Sequence, residues 1–483
     1  MSTTPDLAEN SEPATEPEGP TGLLSTWLAN TTLADIPVHV LERAKHLMLD
    51  GVACALVGAQ LPVSRLGVEA ITRLDDSGSA FVIGWGGLTT SPPSAALLNS
   101  SFIQGFELDD FHPAAPLHSN AVVLPALFAS IPPGTSITGA RLLLGAVLGY
   151  EVGPRVGLAL HGQEMLTRGW HSGAVFGPHA AAAAAGTLYG LDAAGFEDAL
   201  GMAATQSSGL MSAQFESMVK RMQHGFAARN GLTAAALAAS GYVGIKRVYE
   251  REYGGFLAVF GEGHQPDSAR IGDKLGEFWE TERIAVKPYA AMGALHGAIE
   301  AALYLRSHSS LEAGDIAHID ISVSAAAYHH GGWAATRPIE TIGAQMNLAY
   351  TVAVAILDGA VLLEQFTDAK LESDDVWALI DRTDMRHDKD FDALPADEWL
   401  TTELKITLND GTVLDKRVTH PHGTGDVPLT NDEIVQKYRT LTQPILDDDR
   451  RSAIERAVLA LDTLDDSKEL TDLLIPNVAR ALH

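Results

Sequence analysis

Glu403-Leu-Lys-Ile-Thr-Leu408, Asn409-Asp-Gly411, Thr412-Val-Leu-Asp-Lys-Arg-Val418 is the stretch that decides the fold. Two alternating runs flank an Asn-Asp-Gly turn, and Asp and Gly tolerate the positive φ of tight hairpins, so the pattern predicts a β-hairpin. Ile316-Ala-His-Ile-Asp-Ile-Ser-Val323 alternates in the same way and predicts a half-buried strand. Before about residue 280 no convincing strand is found. Val40, Leu41, Ala44, Leu47 and Met48 recur at helical spacing after Asp35-Ile-Pro37, where Asp35 is a candidate N-cap. Pro92-Pro93 opens a second helix over 94–104, and 140–158 is a third, with Glu151 and Arg155 four residues apart as a structural ion pair. Segments 178–188, 195–204 and 227–240 are small-residue helices suited to close packing. Helices over 293–305 and 345–362 lie on either side of the 316–323 strand along the chain, and 430–482 is helical again. The expected architecture is mainly α: a large all-helical domain formed from both chain ends (21–283 plus 425–483), with a smaller α+β lid domain (284–424) inserted.

Composition narrows the function. The 483 residues are 46% hydrophobic and 19% charged, as in ordinary globular enzymes, and only 6% aromatic. The net charge of −28, from 33 basic and 61 acidic residues, disfavours nucleic acid and anionic membrane as partners, because phosphate binding needs clustered cations. An anionic substrate would therefore need a local cationic island. The lone Cys54 excludes an intrachain disulfide and reads as a small buried hydrophobe. No stretch reaches the length of uninterrupted apolar sequence that a membrane span needs. Residues 1–20, acidic and proline-rich with no Lys or Arg, resemble neither a mitochondrial presequence nor a secretory signal. They read as a disordered tail, and the expected location is cytoplasmic.

Three clusters carry chemistry. Glu107-Leu-Asp-Asp-Phe-His-Pro-Ala-Ala-Pro-Leu-His118 packs three carboxylates and two histidines into twelve residues between apolar flanks. Here His118 suits proton transfer. Asp109, Asp110 and His112 offer a metal reading that finds no second ligand motif. Thr167-Arg-Gly-Trp-His171-Ser-Gly sets His171 before a helix N-terminus, where free N–H groups favour a carboxylate; His179, inside the Ala run that follows, reads as a core histidine. Met218-Val-Lys220-Arg-Met-Gln-His224-Gly-Phe-Ala-Ala-Arg229 gathers cations among Met and Ala and reads as an anion site. Lys287 and His296 open the inserted segment facing the first domain, and Tyr328-His-His330 follows a strand end where it could close over a ligand.

These strings, with Leu41–Gly51, Gly169–Val175 and Gly209–Gly231, resemble the MmgE/PrpD family, which holds 2-methylcitrate dehydratases and cis-aconitate decarboxylases; the likeness is strongest to the fungal decarboxylases. The resemblance implies a homodimer without metal or organic cofactor, with its active site between a helical domain and a lid. It places catalytic roles on His118, Lys220 and His171. Substrate-binding roles fall on Glu107, Arg221, Tyr328 and His112. Where the mammalian itaconate-forming enzyme has a threonine after the Asp-Asp pair, this chain has Phe111. The implied activity is cofactor-free decarboxylation of cis-aconitate, a dienolate being protonated by an active-site histidine. Dehydration of 2-methylcitrate or an alkylcitrate, or decarboxylation of an alkyl-substituted aconitate, is the alternative, and a non-catalytic binding protein is the remaining class.

Overall fold

Alanine and glycine set the packing of the first half of the chain. In the computed structural model, which describes residues 12–309, 311–395, 398–425 and 427–482, helix Ser172–Tyr189 is buried from Ser172 to Leu188. It lies between helices Gly139–Ala159 and Gln223–Ala239. Small side chains let these backbones approach closely: a Cβ on Gly231 would stand 2.3 Å from the Pro178 carbonyl oxygen. Gly139–Ala159 has the length and apolarity of a membrane span, yet 89% of its most apolar window is buried inside the protein. Glu151 and Arg155 on it form the expected structural pair: Glu151 accepts from the Glu280 and Thr281 amides at 3.1 and 2.8 Å, and Arg155 donates to the Phe278 carbonyl at 2.8 Å.

The helix predicted near Pro37 spans Val38–Gly58, but Asp35 does not cap it. Asp35 instead closes a separate turn with Thr32, whose amide donates to it at 2.9 Å. Helix Pro92–Ile103 packs on Val38–Gly58 and runs into the loop that carries Glu107.

The later half contains a four-stranded sheet in the order β4-β3-β5-β6, with β3 Ile316–Val323, β4 Thr383–His387, β5 Thr402–Leu408 and β6 Val413–Val418. β5 and β6 form the predicted hairpin, with Gly411 at φ 88° in its turn. Ile319, Ile321, Leu404 and Ile406 are fully buried from solvent, and helix His296–His308 packs on β5 and β6. β4 runs parallel to β3 and has no apolar alternation, so the sequence does not announce it. Two strands of two residues each, β1 Ala80–Phe81 and β2 Thr89–Thr90, pair before residue 280, where none was expected.

From Thr430 the chain returns to the first helices. Helix Asn431–Thr442, opened by a Thr430–Glu433 capping box, packs on Val38–Gly58, and Lys437 reaches Asp50 at 2.6 Å. The acidic tail expected over 1–20 is corrected in part. Residues 1–11 lie outside the described residues; from Glu12 the chain is docked, because its backbone finds carboxylate acceptors. The Glu12 amide donates to Asp192 at 2.8 Å, and the Thr15 amide and hydroxyl donate to Glu197 at 2.9 Å each.

Candidate active site

Glu107 organises the site. It adopts left-handed backbone geometry (φ 56°, ψ 28°), uncommon for a residue with a Cβ. Its carboxylate, 2% exposed, supplies the reason, since three cations converge on it. Lys220 donates to Oε2 at 2.8 Å, Lys287 to Oε1 at 3.2 Å, and Arg221 also to Oε2. Burial pushes the Glu107 carboxyl up, but Lys220, Lys287 and Arg221 together outweigh it and hold it well below the usual carboxylate range. Lys220, itself buried, is lowered to about 8 by desolvation and by its cationic neighbours, against the pull of Glu107. Three cations against one carboxylate leave the net positive island that an anionic substrate needs in this acidic chain.

The rest of the loop is spent residue by residue. Asp109 accepts from His118 Nδ1 at 2.9 Å, so Nε2 is the ring nitrogen left for chemistry. Asp110 accepts from the Ser119 and Asn120 amides at 2.8 and 3.1 Å, capping helix Ser119–Ala129. His112 takes the Ala115 amide on Nδ1 at 3.1 Å and faces Glu280 with Nε2 at 3.0 Å. The side chains of the metal reading therefore have three separate destinations and no common focus.

His171 accepts the Ala174 amide on Nδ1 at 3.3 Å. Burial lowers it to about 3, helped by Lys220 and His118, so it is a neutral imidazole that presents an Nε2–H donor. His171 therefore offers a neutral donor and not a cation. Between His118 and His171 lies His224, whose ring centroid is 4.8 Å from each, edge to face. His224 has no exposed surface, and neither ring nitrogen has a hydrogen-bond partner among the described residues. Gly173 makes room for it, because a Cβ there would sit 2.1 Å from His224 Nε2.

Several of these groups, though not His224, border a cavity of about 100 Å3. Glu107, His118, His171, Lys220 and Lys287 form its polar side; Phe111, Leu166, Met211, Met292, Met346 and Trp399 form an apolar side. Of the seven residues to which the resemblance gives catalytic or substrate-binding roles, His118, His171, Lys220 and Glu107 meet in this cavity. Three others do not line it. Arg221 is buried behind Glu107 and donates its other terminal nitrogen, Nη2, to Gln345, and His112 is a loop fastener. Tyr328 is 38% exposed and faces a neighbouring open cleft of about 1290 Å3. His330, two residues on, takes the place expected for Tyr328. It is buried, and desolvation, then His329, lowers it to about 4. Arg229, grouped with the anion site in sequence, instead lies over the Phe226 ring. Lys287, which the sequence places only as facing the first domain, lines the cavity; its signal is a lysine in the apolar run Ile284-Ala-Val-Lys-Pro288.

The MmgE/PrpD N-terminal domain matches residues 22–269 and the C-terminal domain matches residues 289–463. The chain is 45% identical to the cis-aconitate decarboxylase-like protein oryM of Aspergillus oryzae, across 95% of this chain and 98% of that protein. It is 42% identical to the cis-aconitate decarboxylase of Aspergillus terreus, across 97% of this chain and 98% of that enzyme. With the human cis-aconitate decarboxylase it shares 26% identity, across 90% of each chain.

Proposed function

The chain belongs to the MmgE/PrpD family, and we propose that it is a lyase that decarboxylates cis-aconitate to itaconate and CO2. The observation that carries this reading is a single cavity with two poles. One pole holds two buried amines, a neutral imidazole donor and a His–Asp pair, and the other is apolar.

The chemistry needs those poles. The C–C bond to the carboxylate on the CH2 arm breaks and CO2 leaves. The electron pair moves through the C=C bond onto the far carboxylate, giving a dienolate. One proton delivered to the carbon beside that carboxylate completes itaconate. The substrate is its own electron sink, so the reaction requires no organic cofactor or metal. Lys220 and Lys287 hold the retained carboxylates and meet the charge that builds on the dienolate. His171 Nε2–H adds a neutral donor. His118, held through Nδ1 by Asp109, delivers the proton from Nε2. The departing carboxylate faces the apolar side, where loss of its charge is favoured.

The same proposal takes residues 284–424 as a lid that closes this cavity and the cytoplasm as the location. It takes a homodimer as the assembly, supported by exposed Leu210, Phe215, Met218 and Val219 on the segment leading into Lys220.

Incubation of purified protein with cis-aconitate, and separately with 2-methylcitrate, tests the reading. CO2 and itaconate from the first are expected. An unsaturated tricarboxylate from the second, with no CO2 from the first, would replace decarboxylation by dehydration. His118→Ala is expected to cut turnover at least 100-fold with the fold retained; near-normal turnover would remove His118 from proton delivery.

A further inference from the structure

Phe111 and Gly293 fit each other as a pair. The Phe111 ring lies against the Gly293 backbone so closely that a Cβ at 293 would stand 2.8 Å from its Cζ and 3.2 and 3.3 Å from its Cε atoms. A side chain at 293 would have to push this ring aside. Phe111 cannot retreat by moving its backbone either. Its amide donates to the Ala285 carbonyl at 2.9 Å, and it accepts the Ala285 amide at 2.8 Å. Ala285 stands two residues before Lys287, whose Nζ is 5.8 Å from the Phe111 ring centroid. A stiff aromatic wall thus sits at the junction of the cavity's cationic and apolar poles.

We infer that Phe111, seated on Gly293, is the specificity-determining residue that limits the substrate to an unsubstituted tricarboxylate. An alkyl group on the CH2 arm of a substrate held by Lys220 and Lys287 would meet this ring, which has the Gly293 backbone behind it and is pinned by its own bridge to Ala285. The inference rests on the cis-aconitate reading, since it assumes a tricarboxylate held by the two lysines.

The test uses binding, so it does not depend on turnover. Affinities of the full-length protein for tricarballylate and for an n-butyl-substituted tricarballylate are measured by titration calorimetry. Wild type is expected to prefer the unsubstituted ligand. Phe111→Ala is expected to reduce that preference at least tenfold, chiefly by tightening the butyl compound. Phe111→Leu, a gentler truncation, is expected to move the same way by less. Gly293→Ala drives the ring into the cavity and is expected to weaken both ligands. If Phe111→Ala and Phe111→Leu bind tricarballylate with the wild-type preference, the assignment of Phe111 is overturned while the tricarboxylate reading stands. If wild type binds neither ligand, both fall.

Discussion

Replacing Glu107 with Gln keeps the shape of the side chain and removes the one negative charge at the centre of three cations. Lys220 reports the change. It stands at about 8 because desolvation and its cationic neighbours lower it while Glu107, 2.8 Å away, holds it up. A unit charge at 2.8 Å is worth about 1.5 kcal/mol in a water-like medium and about 6 kcal/mol at an effective dielectric of 20. At about 1.4 kcal/mol per pH unit, the Lys220 ammonium should lose its proton about 1 to 4 pH units lower in Glu107→Gln. The assay is kcat/KM for cis-aconitate between pH 6 and 10, which reads groups of the free enzyme. Wild type should show an activity limb falling above about 8, because deprotonated Lys220 no longer holds a carboxylate. In the variant the limb should move to about 7 or below, given the water-like estimate as a minimum. In kcat it should lie higher than in kcat/KM, because a bound carboxylate stabilises the ammonium. A limb that stays near 8 in a folded Glu107→Gln protein refutes the role given to the pair.

Two further perturbations probe buried polar groups. Lys437→Met strands Asp50, already pushed up by burial, and should cost about 3–5 kcal/mol in urea unfolding. A carboxyl raised in the folded state favours folding at low pH and loses that contribution as pH rises through its folded value. The deficit should therefore be smaller at pH 5 than at pH 8; equal deficits would count against an unpaired Asp50. His224→Phe keeps the ring but removes two nitrogens that have no partner among the described residues. Stability should be unchanged or rise by about 1 kcal/mol, because unpaired buried polar atoms are a cost. Turnover should drop at least tenfold if those nitrogens serve the His118–His171 pair, and unchanged turnover would make His224 a spacer.

The sequence by itself determined the mainly helical class, the β5–β6 hairpin and most of the polar side of the cavity. These are local properties. Ala and Gly periodicity fixes helices that pack closely, and Asp410-Gly411 fixes a tight turn. Lys220 stood out as a cation among Met and Ala in a chain of net charge −28. Only the tertiary structure decided which cation does what. Glu107 meets residues 113 and 180 positions away in the chain, so its own ionisation and that of Lys220 are products of distance and burial across the fold. Arg221, adjacent to Lys220, is consumed behind Glu107, because neighbouring residues in a tight turn point in different directions. Tyr328 and His330 share helix Ala325–Gly331, where two residues are about 200° of rotation apart, so only one can face the cavity. That choice depends on how the helix is docked, and no local pattern encodes it. β4 likewise exists because β3 offers it an edge, for its own five residues carry no strand signal.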